Sequence, residues 1–380
     1  MAKEVVVMYR DHVLPLSETF ILGQGSNLTD YDVYYAGYRK VSGIETPGNR
    51  TFVVNKKRGT RIGRIRESLF IRYGISPHFL MKFLLIKPKF IHVQFGVSAT
   101  TILPFAKKLR VPIIVTYHGY DATIRDEVAA TASFCQSKYI ERRESLIEYA
   151  DQFIAVSNYI KKKMIDQGIP ENKIIVHHIG IDLKKFIHDP SIVREPIVLF
   201  VARLVEKKGC IYLLKAMKKV QQLYPDYRLV IIGDGPLKSN LEEYAQAHNI
   251  NCEFLGGRSH EYVKQWMNKS KIFSVPSITA ETGDAEGFGM VFAEANAMGL
   301  PVVSFRSGGV PEAVEHNVTG LLVEEKDSDG LAESIIRLLS DSALWQQMSK
   351  SGIARVREQF DIEKQTLKLQ EIYKKTFPNK

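Results

Sequence analysis

The chain has 380 residues, of which 45% are hydrophobic and 25% are charged, and its formal net charge is +10. This balance excludes a disordered or collagen-like chain, and no run approaches the roughly 20 apolar residues of a membrane-spanning helix. A single core stops growing at about 250–300 residues, so we expect two domains.

The three cysteines are widely spaced and form no Cys-x-x-Cys pair. This spacing indicates neither a disulfide framework nor a zinc site. The N-terminus lacks the longer apolar core and cleavage site of a secretory signal. The sequence therefore predicts a cytoplasmic protein with reduced thiols.

The excess positive charge is confined to the first half of the chain. Residues 1–192 contain 28 Lys and Arg against 18 Asp and Glu, whereas residues 193–380 contain 24 of each kind. This asymmetry predicts an anionic partner for one domain only, either nucleic acid or an acidic membrane surface.

Short runs rich in Val, Ile and Phe alternate with segments of helical length. We predict strands at residues 5–8, 32–36, 52–54, 91–95, 113–117, 153–156, 174–177, 197–201, 228–232, 252–255, 272–275, 302–304 and 320–323. Continuous apolar strands between helices are typical of parallel sheets covered on both faces. Linker residues at 188–191 separate two such sets, so we predict two doubly wound Rossmann-like α/β domains, followed by an amphipathic helix at about residues 361–377.

A basic amphipathic segment covers residues 56–73. Ile62, Ile65 and Leu69 recur at spacings of three and four, and an apolar run at residues 79–86 follows. The surrounding basic residues are Lys56, Lys57, Arg58, Arg61, Arg64, Arg66 and Arg72. This pattern favours attachment to an anionic membrane face, and it equally fits a core-packing helix with a solvated basic face.

Polar residues follow several predicted strands, where open parallel sheets bind their ligands. His118 and Asp121 follow the strand at 113–117, and a histidine there can bind a sugar hydroxyl or transfer a proton. A lone histidine is more often structural, and we interpret His92, which lies inside a strand, in that way.

Cationic residues follow the first strand of the second half. Arg203 and Lys208 come directly after the strand at 197–201, and together they suit a diphosphate. Gly233 begins a glycine turn after the next strand but lacks the third glycine of the dinucleotide fingerprint.

Two carboxylates border a glycine-containing loop after the strand at 272–275. Glu286 precedes the loop, and Glu294 lies on the helix that follows it. Between these two carboxylates, the residues that we expect to contact the ligand are Gly287, Phe288, Gly289, Met290 and Val291. Glycine lets the backbone approach a ligand, and a helix N-terminus attracts an anion. An ordinary helix start with a nearby carboxylate explains the pattern about as well. No metal motif directly follows an apolar strand, so we expect no metal site.

These motifs together resemble glycosyltransferase family 4, the retaining enzymes of the GT-B fold. Glu286 and Glu294 are similar to its Glu-x7-Glu pair, and Arg203 and Lys208 match its Arg-Leu-x-x-x-Lys-Gly site. His118-Gly119, Gly233-Asp234-Gly235 and Gly308-Gly309-Val310-Pro311-Glu312 match further loops. The resemblance implies two domains facing each other across a cleft: an acceptor-binding domain at 1–190, with the helix at 361–380 packed back on it, and a donor-binding domain at 191–360.

By this resemblance, Glu294 holds the ribose, Glu286 lies beside the donor sugar, and the backbone from Gly287 to Val291 contacts the sugar and phosphates. Gly233 joins the donor site, and the catalytic set comprises His118, Glu286, Arg203 and Lys208. One departure is the Leu-Ser-Glu-Thr-Phe-Ile stretch at 16–21, which replaces a glycine-rich loop and looks like the variant of exopolysaccharide and colanic-acid-type transferases. The resemblance to the family also implies acceptor-side roles for Glu18 and Asp121.

The resemblance implies a hexosyltransferase without a metal or other cofactor, using a UDP- or GDP-sugar. It further implies assembly of an exopolysaccharide, O-antigen or capsule on a polyprenyl-diphosphate-linked glycan, with the protein peripheral on the inner membrane face. A nucleotide-sugar epimerase or hydrolase remains an alternative. A nucleic-acid-binding module is disfavoured, because the basic residues adjoin aliphatic side chains and no known motif is present.

Overall fold

The computed structural model describes residues 3–13, 15, 18–41, 43, 45–56 and 60–378. Contacts divide the chain into two compact units: the residues up to Gly180 together with those from Ile362 onward, and Ile181–Asp361. Leu16, Ser17, Lys57 and Arg58, which belong to predicted motifs, lie outside the described residues.

The first unit contains strands and helices in alternation. Its strands are β1 (Glu4–Tyr9), β2 (His12–Val13), β3 (Tyr31–Lys40), β4 (Thr51–Asn55), β5 (Phe90–Gln94), β6 (Ile113–Tyr117), β7 (Gln152–Ala155) and β8 (Ile174–Val176). Its helices are α1 (Thr19–Ser26), α2 (Arg61–Tyr73), α3 (Pro77–Ile86), α4 (Gly96–Leu109), α5 (Tyr120–Thr123), α6 (Asp126–Ala132), α7 (Phe134–Tyr149) and α8 (Asn158–Asp166).

Among the described residues, the strands of this unit form one parallel sheet in the order β2-β3-β1-β5-β6-β7-β8, with β4 also paired to β3. The five residues of β6, Ile-Ile-Val-Thr-Tyr, are all buried, as expected for a central strand covered on both faces. The order reverses between β1 and β5, so the crevice at their carboxyl ends is the topological switch point of this sheet.

The second unit contains strands β9 (Ile197–Val201), β10 (Arg228–Ile232), β11 (Cys252–Phe254), β12 (Ile272–Ser274), β13 (Val302–Phe305) and β14 (Gly320–Val323). Its helices are α9 (Cys210–Leu223), α10 (Lys238–Ala247), α11 (His260–Lys269), α12 (Met290–Ala297), α13 (Val310–Ala313), α14 (Ser328–Ser340) and α15 (Ser342–Gln359). All the strand pairs described here are parallel, in the order β11-β10-β9-β12-β13-β14. This is the doubly wound order, and its switch point lies between β9 and β12.

The last helix, α16 (Ile362–Thr376), packs on the first unit. Leu369, Ile372 and Tyr373 join the core cluster that includes β1 and β3. The Tyr373 hydroxyl lies 2.5 Å from Nδ1 of His92, whose Nε2 lies 2.7 Å from the Thr116 hydroxyl. Burial lowers the pKa of His92 to about 3, so this histidine is neutral and structural, as predicted.

One partly buried arginine fixes the segment that enters the second unit. The Arg194 guanidinium donates to the carbonyl oxygens of Met267, Asn268, Ser270 and Met298 at 2.7–3.3 Å, at the ends of α11 and α12. Cations at helix C-termini are favourable because unpaired carbonyl groups gather there. The linker that the sequence predicts at 188–191 therefore lies within the second unit.

No helix of the described chain is, by itself, long and apolar enough to cross a membrane. Helices α2 and α3 together have the required length and composition, but they meet at a bend of 61°.

Candidate functional site

The loops that follow β9 and β12 meet at the switch point of the second unit. A short 3-10 helix, Glu206–Lys208, ends at Gly209, which has a left-handed backbone. A Cβ on Gly209 would overlap the carbonyl oxygen of Pro276, so this close approach requires glycine. The Ile278 amide also donates to the Lys207 carbonyl at 2.8 Å. The two loops are thus held in register by backbone contacts.

Two consecutive lysines pair with two acids across these loops. The Lys208 ammonium donates to the Glu286 carboxylate, and Lys207 Nζ lies 2.9 Å from Asp284 Oδ1. Burial alone would raise the pKa of Glu286, but the charges of Lys208, Lys207 and Arg203 outweigh it and lower the pKa below its usual value. Glu286 is therefore ionised at neutral pH. Arg203, which is exposed, makes the smallest contribution to this lowering.

Glu294 has a different environment on α12. It is 9% exposed, and no described residue forms an ion pair or hydrogen bond with its carboxylate. Burial raises the pKa of Glu294 to about 7. A carboxylate in this state is an acceptor without a donor, so a ligand that brings hydroxyl groups can satisfy it.

The loop from Glu286 to α12 is held by close backbone packing. The Gly309 amide donates to the Glu286 carbonyl at 2.8 Å, and a Cβ on Gly309 would overlap the Gly287 carbonyl oxygen. The ring of Phe288 is 2% exposed and packs on Phe360 with ring centroids 5.1 Å apart. The Phe288 ring is therefore part of the packing that holds this loop in place.

Gly289 caps α12 with a left-handed backbone and without a side-chain cap, and Met290 and Val291 form the first turn. The amides of Met290 and Val291 form no intrahelical bonds, so they can donate hydrogen bonds to an anion. The glycine turn after β10 serves packing: a Cβ on Gly233 would overlap the Ala202 carbonyl oxygen, and the Leu204 amide donates to the Asp234 carbonyl at 2.9 Å.

In the first unit, His118 follows β6 and is enclosed by aromatic rings. Its Nε2 lies 2.7 Å from Gln94 Oε1, and its ring centroid is 4.5 Å from that of Phe95 and 4.9 Å from that of Phe20. Within the described chain, the buried Nδ1 has no hydrogen-bond partner. Burial lowers the pKa of His118 well below its usual value, and the positive charge of Arg10 acts in the same direction. His118 is therefore neutral, with Nε2 donating to Gln94 and Nδ1 free to accept.

Asp121 does not offer its carboxylate to a ligand. It is fully buried and accepts the amides of Gly96 at 2.9 Å, His118 at 3.1 Å and Gly119 at 2.9 Å. This network joins the loops after β5 and β6, because a buried carboxylate needs several donors. These bonds hold the His118 backbone in place, and the acceptor-side role expected of Asp121 stays a prediction.

Glu18 is engaged by a residue that the sequence analysis passed over. Arg10 directly follows β1, and its Nε and Nη2 donate to the Glu18 carboxylate at 2.9 Å, while Nη1 donates to Ser98 at 3.0 Å. The guanidinium also lies 4.2 Å from the centroid of the Phe95 ring. The signal for Arg10 was its place directly after the first buried strand, at a switch point.

Two Asp-x-Asp sequences, at residues 30–32 and 327–329, have structural roles. Asp30 pairs with Lys374 at 2.6 Å and Asp32 with Arg50 at 3.2 Å, while Asp327 caps α14. The described residues contain no group of three His, Cys, Asp or Glu side chains that could hold a metal ion.

Two doubly wound domains, one with paired lysines and carboxylates at its switch point, define a two-domain α/β protein of the nucleotide-binding kind. Two family models match the chain: Glycosyltransferase Family 4 over residues 30–185 and Glycosyl transferases group 1 over residues 184–355. The chain belongs to this family of glycosyltransferases, as the motifs predicted.

Curated relatives carry related names. The chain is 30% identical over 275 residues to the amylovoran biosynthesis glycosyltransferase AmsK of Erwinia amylovora. The aligned region covers 71% of this chain and 66% of AmsK. It is 31% identical to an uncharacterized glycosyltransferase of Methanocaldococcus jannaschii, over 70% of this chain and 69% of that protein. A GDP-mannose-dependent monoacylated alpha-(1-6)-phosphatidylinositol monomannoside mannosyltransferase of Corynebacterium glutamicum is 36% identical over 48% of this chain and 51% of its own length. The match thus spans between half and just over two thirds of these relatives.

Solved structures share the fold. Sucrose-phosphate synthase from Thermosynechococcus elongatus has a TM-score of 0.78 at 21% identity, and the superposition covers 99% of each chain. Anabaena HepE in complex with UDP has a TM-score of 0.75 at 18% identity, with 98% of this chain and 100% of HepE covered. The fold is therefore GT-B, as predicted.

Proposed function

We propose that this glycosyltransferase moves a hexosyl residue from a nucleoside diphosphate sugar to an acceptor hydroxyl with retention of configuration. The observation that carries the proposal is the set of paired charges at the switch point of the second unit, where Lys208 contacts Glu286 and Arg203 lies nearby. Nucleotides bind at this place in doubly wound sheets, and the solved complex of HepE with UDP supports a nucleotide-sugar donor.

In this proposal, Arg203 and Lys208 stabilise the departing diphosphate. The bond between the anomeric carbon of the sugar and the β-phosphate oxygen breaks, and a bond to the acceptor oxygen forms on the same face of the sugar. The departing phosphate oxygen takes the acceptor proton. Fixed cations at the developing negative charge lower the barrier because they need no reorganisation during the reaction.

The two carboxylates of the second unit take different roles because their environments differ. The ionised Glu286 accepts hydrogen bonds from hydroxyl groups of the donor sugar and holds the Lys208 ammonium in place. The unpaired Glu294 accepts from the ribose hydroxyls. The diphosphate lies against the amides at the start of α12, where the backbone from Gly287 to Val291 faces it, and Gly233 keeps the neighbouring loop in place.

His118 acts as a hydrogen-bond acceptor. Because its pKa lies far below neutrality, it carries no proton to donate from Nδ1. Its unpartnered Nδ1 therefore accepts from a sugar hydroxyl, and Gln94 fixes the ring by accepting from Nε2. In the same unit, Glu18 acts indirectly, by holding Arg10 against Ser98 and Phe95.

We propose that the reaction needs no metal ion, since Arg203 and Lys208 supply the charge that a cation would otherwise bring. Activity should persist when a chelator is added to metal-depleted enzyme and should not rise with Mg²⁺ or Mn²⁺. Loss of turnover with the chelator, restored by either cation, contradicts this part.

The acceptor is proposed to be a polyprenyl-diphosphate-linked glycan in the assembly of an exopolysaccharide, O-antigen or capsule. The name of AmsK, which refers to amylovoran biosynthesis, supports this class of product. The enzyme would then work in the cytoplasm at the inner face of the membrane, and the net charge of +10, all of it in the first half of the chain, favours an anionic surface there.

The test has two stages. Thermal-shift measurements with UDP, GDP, ADP and their sugars identify the donor, because a bound ligand raises the melting temperature by mass action. Transfer is then assayed with that donor and lipid-linked acceptors, and NMR of the product reports the anomeric configuration. A product of inverted configuration refutes retention. Rapid hydrolysis or epimerisation of the donor without any acceptor refutes the transferase and favours a nucleotide-sugar hydrolase or epimerase.

A further inference from the structure

Helices α2 and α3 of the first unit have an outer apolar surface that the fold does not use. Their inner faces already pack: Phe70, Phe79 and Phe83 are buried in an aromatic cluster with Phe52 and Phe105. The outer faces expose large apolar side chains. Within the described chain, nine of the sixteen exposed large hydrophobic residues lie here: Ile62, Ile65, Leu69, Tyr73, Ile75, Leu80, Met81, Leu84 and Leu85.

Their spacing places these residues on one face of each helix. Ile62, Ile65 and Leu69 follow one another at three and four positions along α2, and Leu80 and Leu84 do so along α3. Met81 is 71% and Leu85 is 75% exposed. Scattered exposed leucines are ordinary, but a contiguous set of this size marks an interaction surface.

An apolar cavity of about 250 Å³ lies where the two helices join. Ile75, Pro77, Leu80, Phe105 and Leu109 line it, together with Lys108. Ile75 and Leu80 belong both to the cavity lining and to the exposed set, so the cavity is continuous with the outer surface. Gly74 and Ser76 complete the lining, and the Ser76 hydroxyl is already engaged, because it accepts from the Phe79 amide at the start of α3. Lys108 brings the one charged group, so the cavity suits an aliphatic chain with an anionic head.

The charges around this surface are of one sign. Residues 60–87 contain six basic residues and one acid, Glu67, which is buried and paired with Arg39. The basic residues are Arg61, Arg64, Arg66, Arg72, Lys82 and Lys87. A second copy of the chain would bring the same positive surface to a symmetric interface, where like charges repel. An anionic lipid surface is complementary to both the charge and the apolar side chains.

We propose that the α2–α3 surface rests on an anionic phospholipid bilayer and that one acyl chain enters the cavity between α3 and α4. The helices lie in the interface instead of spanning it, because they have 13 and 10 residues and are bent by 61°. This inference deepens the proposed function, since it names the surface through which the enzyme reaches a lipid-linked acceptor.

Vesicle sedimentation of the full-length protein tests the surface. We expect binding to vesicles of phosphatidylcholine with about one-third phosphatidylglycerol, weak binding to phosphatidylcholine alone, and a decline as salt rises from about 50 to 500 mM. The variant Leu84→Ser/Leu85→Ser should lower partitioning by roughly tenfold or more, because two inserted side chains are lost. The matched control Leu223→Ser/Leu367→Ser removes two similarly exposed leucines elsewhere and should bind normally.

A second pair of variants separates charge from apolar contact. Arg64→Gln/Arg66→Gln should weaken binding and flatten its salt dependence, whereas Lys162→Gln/Lys350→Gln removes the same charge elsewhere and should have little effect. Equal loss in both pairs overturns the surface in favour of general electrostatic attraction. Equal binding of the wild type to neutral and anionic vesicles also overturns the proposal, because it would show that anionic lipid is not needed. A change from dimer to monomer in the Leu84→Ser/Leu85→Ser variant overturns it in favour of a second copy.

Fluorescence quenching tests the cavity. A tryptophan placed by Ile75→Trp should be quenched by phosphatidylglycerol brominated in mid-chain, and one placed by Leu223→Trp should not, with the wild-type Trp266 and Trp345 giving the background. Equal quenching at the two positions refutes entry of the chain. The shift in melting temperature with UDP or GDP reports binding at the donor site independently. A variant that keeps this shift but no longer binds vesicles therefore separates this inference from the proposed function.

Discussion

The two switch points share a topology and differ in charge. In the second unit, Lys207 and Lys208 pair with Asp284 and Glu286, Arg203 is exposed, and the Glu294 carboxylate has no partner among the described residues. In the first unit, the partly buried Arg10 donates to Glu18 and Ser98, and aromatic rings pack against His118. The switch point of the second unit therefore carries cations that suit an anionic ligand. The switch point of the first unit offers only a neutral hydrogen-bond acceptor, His118. The comparison shows that two doubly wound sheets can carry loops of different charge at their switch points.

The largest effect is expected where a cation meets developing charge. Lys208→Ala should lower turnover by roughly two to three orders of magnitude, and Arg203→Ala should act in the same direction, because each removes stabilisation of the departing diphosphate. Steady-state kinetics with a saturating acceptor measures this. Lys215→Ala, on the exposed face of α9, serves as the control. Full activity in both variants would contradict a role for Arg203 and Lys208 in stabilising the departing diphosphate.

The first unit should respond in stability. Arg10→Ala leaves Glu18 buried without its partner, so we expect a loss of about 3–5 kcal/mol in the free energy of unfolding, measured by urea denaturation. Replacing both residues, Arg10→Met with Glu18→Gln, should recover most of that loss, because no uncompensated charge remains. A single variant as stable as the wild type would show that the pair is solvated.

The packing of the loops in the second unit can be tested by one methyl group. Gly309→Ala places a Cβ against the Gly287 carbonyl oxygen, so we expect a loss of about 1–3 kcal/mol and weaker binding of the donor, measured by thermal shift and titration calorimetry. Gly257→Ala is the matched control, because its Cβ would meet only the Asp234 Cβ, at 4.0 Å. Equal behaviour of the two variants would contradict the close approach.

The smallest effect concerns pH. Burial raises the pKa of Glu294 to about 7, so the folded empty protein resists ionisation that the unfolded chain undergoes near pH 4.5. Stability should therefore fall as pH rises from about 4.5 to 7, by at most about 3 kcal/mol. Glu294→Gln should match the wild type at low pH and exceed it in stability above pH 7.

Donor binding should show the opposite trend, because ribose hydroxyls favour the ionised Glu294. Affinity for the intact nucleotide sugar should rise less than tenfold between pH 6 and pH 8 in the wild type and stay flat in Glu294→Gln. The intact sugar nucleotide is the right probe, since its diphosphate does not titrate in this range. A rise of the same size in the variant would assign the titration to another group.

Much of the fold follows from local sequence. Each of the thirteen predicted strands corresponds to an observed one, because buried parallel strands are continuous apolar runs. The sequence missed β2, which has only two residues, and ended β3 at residue 36 instead of Lys40, because its last residues are polar. The predicted linker at 188–191 looked like a boundary by composition, yet Ile181 already bonds to Phe360 within the second unit.

The sites were less accessible to prediction. Arg203, Lys208, Glu286 and Glu294 could be singled out because their spacing and place after strands are visible in the sequence. The partners of Glu18 and Asp121 could not, since Arg10 reaches Glu18 and the Gly96 amide reaches Asp121 only through tertiary folding. The roles assigned to the donor-site residues stay predictions until a ligand is bound.

One consequence follows from where the chain enters and leaves the second unit. Ile181 and Asp361 form a β-bridge, and the Ile181 amide donates to the Phe360 carbonyl at 2.6 Å, so both ends of this unit are adjacent. A segment with neighbouring ends is suited to excision. Residues 181–361 should fold as an autonomous fragment small enough for amide-resolved NMR titration, and joining residue 180 to 362 through a short turn should leave the remaining sheet with its final helix.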